Sequence, residues 1–402
     1  MKIVYLTFNN PLRCYGVYKK EIDLCKVLYE KCLQKNLSFY GLCVVSEKEV
    51  FVEDFDYFKI IKYDKNNIFL KLFKKIPIIR SIINYIIIKK LSLEEINRIK
   101  PDIIFYRYIW TCLVFNIKKL KKYNKNIIFV TYHQTKEEEE YKVRSKFIYI
   151  SEHFNFKIMS KYIDGIVGVT SEIVDYELKR SSSYKPNYVL TNGIIVKNYP
   201  LVKYKDFNNK LNIIIAVNNN NIWHGIDRII YGLKDYYTSK KENIEVILHV
   251  VGNLSNDIIE LVKKLRLENK VIFYGFKYGE ELNKIFDECQ LGVGSLGLHR
   301  IKFRYGSPIK VREYLARGLP CIIGFIDEDI DEQCEFVLNV PADDTPINIE
   351  KLVYFVKNLY NKYGQDLNKE IRTYAFKKID YSVKMDGLIN FLENIYNQKR
   401  KF

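Results

Sequence analysis

Short apolar runs alternate with longer amphipathic stretches through the first half of this chain, fade near residue 200, and then begin again. The first series predicts strands at 3–8, 39–45, 102–106, 127–131, 165–169 and 188–190. A loop at 11–16 leads into an amphipathic helix at 17–34, and helical patterns fill the other gaps. The second series predicts strands at 211–217, 245–251, 271–274, 291–295 and 321–324, separated by helices at 226–237, 256–267, 280–288 and 308–317. Strands alternating with helices form parallel sheets covered on both faces. The turn Thr191-Asn192-Gly193 and the weakly periodic run to about Lys210 separate the two series. The expected fold class is therefore α/β, with two Rossmann-like doubly wound domains facing a shared cleft at their strand C-termini. At 402 residues, 48% of them hydrophobic, the chain can cover two such cores.

Charge is divided unevenly. Residues 1–200 hold 35 Lys and Arg against 21 Asp and Glu, and residues 201–402 hold 30 against 27. A basic first half suits an anionic surface or polymer. The apolar run 76–88, broken by Pro77, Arg80 and Asn84, is too short and polar to span a bilayer. Lys71, Lys74, Lys75, Arg80, Lys89 and Lys90 surround it, so 71–90 reads either as a core helix with solvated lysines or as an element for an anionic membrane surface. Eight dispersed cysteines with no CxxC pair or zinc spacing fit a reducing compartment. The first strand starts at once, with no signal peptide, and a cytoplasmic location is expected. No zinc finger, RRM-like motif or clear helix-turn-helix is present, so nucleic acid is not an expected partner.

The chemistry concentrates at 299–320. Ser307 suits an N-cap, Pro308 the first helical position, Gly318 the position just past the end, and Pro320 a stop. A helix N-terminus favours phosphate. Lys310 lies in its first turn, with His299, Arg300 and Arg304 upstream. Glu313 follows Lys310 by three residues and shares its face. A phosphate attractor beside a carboxylate suits a nucleotide; the same residues also suit a capped surface helix with an ordinary Lys310–Glu313 pair.

Several segments now combine: Lys100-Pro101-Asp102-Ile103-Ile104, His133 after Phe129-Val130-Thr131, Val169-Thr170-Ser171, Leu190-Thr191-Asn192-Gly193-Ile194, Trp223-His224-Gly225-Ile226-Asp227-Arg228, and the 299–320 stretch. In this order the chain resembles the family 4 glycosyltransferases over nearly its whole length, most of all members acting in bacterial capsule, exopolysaccharide and lipopolysaccharide synthesis. The resemblance implies the GT-B fold. It implies an acceptor-binding domain over 1–195, a nucleotide-sugar-binding domain over 196–380, and a helix over 381–402 that crosses back to the first domain. It further implies a retaining enzyme with a nucleotide-sugar donor (a UDP-sugar is expected), a glycan or lipid-linked glycan acceptor, and neither cofactor nor metal. Its place would be the cytoplasm or the inner face of the membrane.

The site residues follow from the same resemblance. Gly16 stands where the family has a glycine-rich loop, His133 where a histidine meets the donor sugar. The run Glu137-Glu138-Glu139-Glu140 would lie near acceptor hydroxyls, although such runs usually form a solvated face. Asn219 and His224 replace an arginine and a lysine that face the diphosphate, with Asn218 and Gly225 alongside; Arg228 and Lys310 are the expected substitutes. Gly252 and Gly275 let the nucleotide lie against backbone, and Phe276 and Lys277 frame the base. Glu313 matches the second glutamate of the family signature and is expected at the ribose; Tyr305 replaces the first, leaving Ser307, His299 and Arg300 to face the sugar.

Three rivals remain. Asp54-Phe55-Asp56, Asp327-Glu328-Asp329 and Asp329-Ile330-Asp331 satisfy the Asp-x-Asp pattern of metal-dependent transferases of another fold. A nucleotide-sugar epimerase would share this fold. A basic non-enzymatic protein binding nucleic acid or membrane would share the charge.

Overall fold

The computed structural model describes residues 1–8, 15–46, 55–63, 77–109, 117, 120–121, 124–144, 146–219, 221–239 and 244–400. It divides into two compact units, Met1–Thr191 with Tyr381–Phe402, and Asn192–Asp380.

The first unit contains β1 (Lys2–Thr7), α1 (Tyr15–Gln34), β2 (Ser38–Ser46), β3 (Phe58–Tyr63), α2 (Pro77–Ile99), β4 (Ile103–Arg107), β5 (Ile128–His133), α3 (Glu137–Arg144), α4 (Lys146–Met159), β6 (Gly165–Gly168), α5 (Ser171–Arg180) and β7 (Asn187–Val189). Its seven strands run in the order β3-β2-β1-β4-β5-β6-β7, and every pairing is parallel. Ile3, Leu6, Ile103, Ile104 and Phe129 are wholly buried, as expected for central strands covered on both faces. Of the basic 71–90 segment, residues 71–76 lie outside the described residues. The rest opens α2, where Ile86 and Lys90 are exposed and Ile96 and Ile99 are buried. Among the described residues no helix is long and apolar enough to cross a membrane.

The second unit contains β8 (Lys210–Asn219), α6 (Ile226–Ser239), β9 (Glu245–Asn253), α7 (Asn256–Lys264), β10 (Val271–Phe273), α8 (Gly279–Asp287), β11 (Leu291–Val293), α9 (Ile309–Ala316), β12 (Cys321–Ile323), β13 (Val337–Asn339), α10 (Ile349–Tyr363) and α11 (Leu367–Lys378). The strand order is β10-β9-β8-β11-β12-β13, again all parallel. Strand β8 shows why its apolar run is unbroken. Ile213 and Ile215 enter the core under α6, α7 and α10, while Ile214 enters the core under α8, α9 and α11. Each such isoleucine contributes roughly 1.5–3 kcal/mol by leaving water.

The last helix, α12 (Met385–Arg400), packs within the first unit. Lys31 pairs with Asp386 at 2.7 Å, and Phe391 stacks on Tyr188 at 5.5 Å. A Cβ on Gly387 would stand 2.2 Å from Tyr188 Oη, so a larger residue there would displace the tyrosine.

Candidate functional site

Helix α9 is fixed from both ends. Pro308, not Ser307, occupies the cap position, with φ −73° and ψ 137° and no side-chain cap. The Ser307 hydroxyl instead accepts a bond from the Asn192 backbone N–H at 2.8 Å, and Asn192 Nδ2 donates to the Ser307 carbonyl at 2.6 Å. At the other end Gly318 takes φ +75°, and the N–H groups of Gly318 and Leu319 close on the carbonyls of Leu315 and Tyr314. The buried face, Val311, Tyr314, Leu315 and Ala316, holds the helix against the sheet. Tyr314 Oη accepts from the Ala216 N–H and donates to the Val293 carbonyl, both at 3.1 Å. That single side chain ties α9 to β8 and β11, the neighbours at which strand order reverses and where such sheets bind ligands.

The helix N-terminus carries a paired basic site. Lys310 Nζ lies 3.1 Å from His224 Nδ1, and burial lowers the lysine to about 7. His224 ends a tight turn, Ile222–His224, closed by Gly225 at φ +62°. A Cβ on Gly225 would come within 2.9 Å of Leu296. The carbonyls of His224 and Trp223 accept from the N–H groups of Leu296 and Gly297 at 3.1 and 3.0 Å, which fixes the turn beside β11.

Glu313 does not pair with Lys310. It accepts from Arg317 Nε at 2.9 Å, and Arg317 Nη1 continues to Asn283. Gly275 has φ +65°, and no atom of the described residues lies within 4 Å of its Cβ position. Beyond it Phe276 and Tyr278 are exposed, their rings 6.1 Å apart, and Lys277 pairs with Glu281 at 2.9 Å. Asn218 and Asn219 fall in the last residues of β8. An open hollow of about 660 Å³ is lined by His299, Lys302, Phe303, Arg304, Phe325 and Ile326 among others.

Several expected roles change. Arg228 is 1% exposed, and its guanidinium donates to the carbonyls of Thr345, Leu296 and Pro341 at 2.9, 2.5 and 3.0 Å. It clamps backbone, reaches Asp343 at 3.3 Å as well, and is too deeply buried to serve as a phosphate contact. Arg300 makes a two-pronged pair with Asp227 at 2.9 and 2.7 Å and also holds Asp344, which His299 Nε2 meets at 3.1 Å. Arg300 ties its turn to the α6 N-terminus, and both residues tie it to the Asp344 loop. Gly252, at φ +123°, is required by packing, since a Cβ would stand 1.6 Å from the Val217 carbonyl. Asp327 and Asp329 both neutralise the buried Arg312, which leaves that Asp-x-Asp run no free carboxylates for a metal. Asp54 lies outside the described residues, as does 11–14 of the loop expected before Gly16. Gly16 itself falls in the first turn of α1.

In the first unit His133 is wholly buried. Its Nδ1 meets Glu137 at 3.2 Å, its Nε2 meets Thr131 at 3.0 Å, and its ring stacks on Tyr108 at 4.4 Å. Both nitrogens are thus engaged inside the unit, and burial lowers the imidazole pKa. The glutamate run is not a solvated face either, because Glu137 and Glu138 are buried. Burial holds Glu137 well above the usual carboxylate range and raises Glu177 to about 7. Arg180 gathers Glu138, Glu152 and Glu177 at 2.8–3.0 Å. His133, Glu137 and Glu177 bring one ligand atom each within 4.8 Å of one another, a set able to hold a cation. Periodicity gave no sign of this cluster, nor of Lys20, Glu21 and Arg107. The available signal was Arg107 itself, a charge ending the apolar strand Ile103-Ile104-Phe105-Tyr106.

Residues 202–334 match the family model described as glycosyl transferases group 1. No curated protein sequence matches the chain. Solved structures match over nearly all of it. Sucrose-phosphate synthase from Thermosynechococcus elongatus superposes with a TM-score of 0.64 at 13% identity, covering 99% of this chain and 100% of the other. A glycosyltransferase from Rickettsia africae gives 0.63 at 15%, covering 98% of each chain. Anabaena HepE, solved in complex with UDP and glucose, gives 0.60 at 12%, covering 98% and 100%. The two parallel-sheet α/β units have the GT-B fold of these structures.

Proposed function

We propose that the protein is a glycosyltransferase that moves a sugar from a nucleoside diphosphate sugar to a hydroxyl of a cell-surface glycan precursor. The observation that carries this reading is the Lys310–His224 contact at the N-terminus of α9, inside the segment that matches the glycosyl transferases group 1 model. Two basic side chains and the first amides of a helix converge there, at the strand-order reversal of a parallel sheet. That is the arrangement a diphosphate leaving group needs. HepE, solved with UDP and glucose, shares the fold and supports UDP as the nucleotide.

In this reading the bond from the anomeric carbon to the diphosphate oxygen breaks as negative charge builds on the phosphates. Lys310, His224 and the helix amides stabilise that charge. The acceptor hydroxyl attacks from the same face, and the departing phosphate oxygen takes its proton, so the anomeric configuration is retained without a protein nucleophile. Glu313 holds the ribose hydroxyls, and Phe276 with Tyr278 flanks the base. No metal is needed for these steps. The basic 71–90 sequence serves as a contact with an anionic membrane, which loss of liposome pelleting on acidic substitution at Lys90 and its neighbours would test.

A thermal-shift series with UDP-, GDP- and ADP-sugars tests the reading directly. Stabilisation by one nucleotide, followed by sugar transfer in excess EDTA, is the expected result. Absence of any shift would sink the transferase reading, and donor consumption without an acceptor would favour an epimerase.

A further inference from the structure

The first unit has its own reversal of strand order. β1 and β4 are neighbours, while the chain leaves β1 toward β2 and leaves β4 toward β5 on the other side. Ligands of such sheets bind beyond the carboxyl ends of the strands at this point. Thr7 ends β1 there, Arg107 ends β4, and Gln134 follows β5. Helix α1 adds Lys20 and Glu21, which are 4% and 0% exposed.

These groups are too rich in donors for one another. Arg107, with its side chain 10% exposed, pairs through Nη1 with Glu21, whose other oxygen accepts from Thr7 Oγ1 at 2.6 Å. Among the described residues its Nε is buried with no acceptor. Gln134 Oε1 accepts from Lys20 Nζ, while among the described residues neither Gln134 Nε2 nor the buried hydroxyl of Tyr5 has an acceptor. Buried donors without acceptors cost free energy unless a ligand or water meets them. Charge points the same way. Among the described residues Lys20 and Arg107 both stand beside the carboxylate of Glu21, and burial holds nearby Glu137 well above the usual carboxylate range. Burial and the charge of Arg107 hold Lys20 well below its usual range, a conflict an incoming anion relieves.

We infer that Arg107, Lys20 and Gln134 bind an anionic oxygen group, a carboxylate or a phosphate, carried by the sugar acceptor. This assignment to an acceptor rests on the glycosyltransferase reading, in which the diphosphate of the donor is held in the other unit.

The test uses the full chain and four probes: UDP, glucose, glucuronate and glucose 6-phosphate, with affinities from titration calorimetry and ligand-observed NMR. Glucuronate or glucose 6-phosphate should bind at least about ten-fold tighter than glucose, and which of them does so tells carboxylate from phosphate. Gln134→Glu keeps the bond from Lys20 and replaces the free donor with a negative charge. It should remove the preference for the anion and leave UDP affinity unchanged. Arg107→Lys should lower the preference in part; Arg107→Leu is avoided, because it strands Glu21. If UDP binds but neither anion is preferred over glucose, the inference is overturned while the transferase reading stands. It is also overturned if Gln134→Glu retains the preference or weakens UDP equally. If UDP fails to bind the wild-type chain, the transferase reading fails, and with it the assignment of this site to an acceptor.

Discussion

Lys310 Nζ stands 3.1 Å from His224 Nδ1, and among the described residues no carboxylate pairs with the lysine. Burial alone brings Lys310 to about 7, so at pH 8 it is mostly a neutral amine that a bound diphosphate would recharge. UDP binding at pH 8 should therefore take up a proton, and at pH 6, where the ammonium already exists, it should not. Calorimetry in buffers of different ionisation enthalpy measures this directly. Lys310→Met should abolish the uptake and weaken UDP about 10–100-fold, consistent with the loss of a charge-assisted bond of roughly 1.5–3 kcal/mol. Its folding stability should hold or rise, because the substitution removes a poorly solvated amine.

Glu313 accepts from Arg317 and not from Lys310, which keeps its carboxylate at the helix surface, partly exposed, one turn beyond the basic pair. If it grips ribose hydroxyls, Glu313→Gln should weaken UDP about ten-fold. Wild-type protein should bind 2′-deoxy-UDP about as weakly as the variant binds UDP. Equal affinity of the wild type for UDP and the deoxy compound would leave Glu313 as a partner of Arg317 only.

The strands and most helices were legible because buried apolar runs report directly on a doubly covered sheet: 211–217 against the observed Lys210–Asn219 differs only at its ends. Strands β3 and β13 were missed for opposite reasons. Phe58-Lys59-Ile60-Ile61-Lys62-Tyr63 is an edge strand whose lysines interrupt the apolar run, and Val337–Asn339 has three residues, too short to show a period. In the site, spacing located the basic helix start at Lys310, but it could not say where a side chain is used. Arg228 lies one turn from His224 in sequence and looks like a phosphate ligand. Only the fold shows its guanidinium closed on three carbonyls. Ser307 has the chemistry of a cap, yet Asn192, 115 residues away, takes its hydroxyl. Such contacts between distant segments leave no periodic trace.

Arg228→Met should then act on stability and not on ligand binding. It leaves the carbonyls of Thr345, Leu296 and Pro341 without donors, at a cost on the order of 3 kcal/mol or more. Urea denaturation should show that loss, while the fraction still folded binds UDP with wild-type affinity. A variant of normal stability with lost UDP binding would restore Arg228 to the phosphate site.

Gly252 and Gly275 separate packing from ligand contact. A methyl on Gly252 meets the Val217 carbonyl at 1.6 Å, so Gly252→Ala should fail to fold stably. On Gly275 it meets nothing within 4 Å, leaving only the cost of φ +65°, about 1–2 kcal/mol. Gly275→Ala should stay folded and lose UDP affinity about ten-fold if the nucleotide lies on that backbone. Thermal unfolding with and without UDP reads both effects in one experiment.

The buried cluster around Glu177 predicts a slope of stability with pH. Burial raises Glu177 to about 7, offset in part by His133 and Arg180, whereas an unfolded glutamate ionises near 4.5. Its contribution is complete below about pH 4.5 and is lost as pH rises through 7, because only the unfolded chain releases the proton freely. Glu137, whose carboxyl burial also pushes well above the usual range, adds to that fall. His133, lowered by burial, works in the opposite direction and loses stability as pH drops below 6.5. Glu177→Gln keeps an acceptor for Arg180 and removes one titration. Relative to the variant, the wild type should lose about 3 kcal/mol between pH 5 and pH 8 in urea denaturation. Parallel stability curves for the two proteins over this range would mean that the proton on Glu177 is not linked to folding.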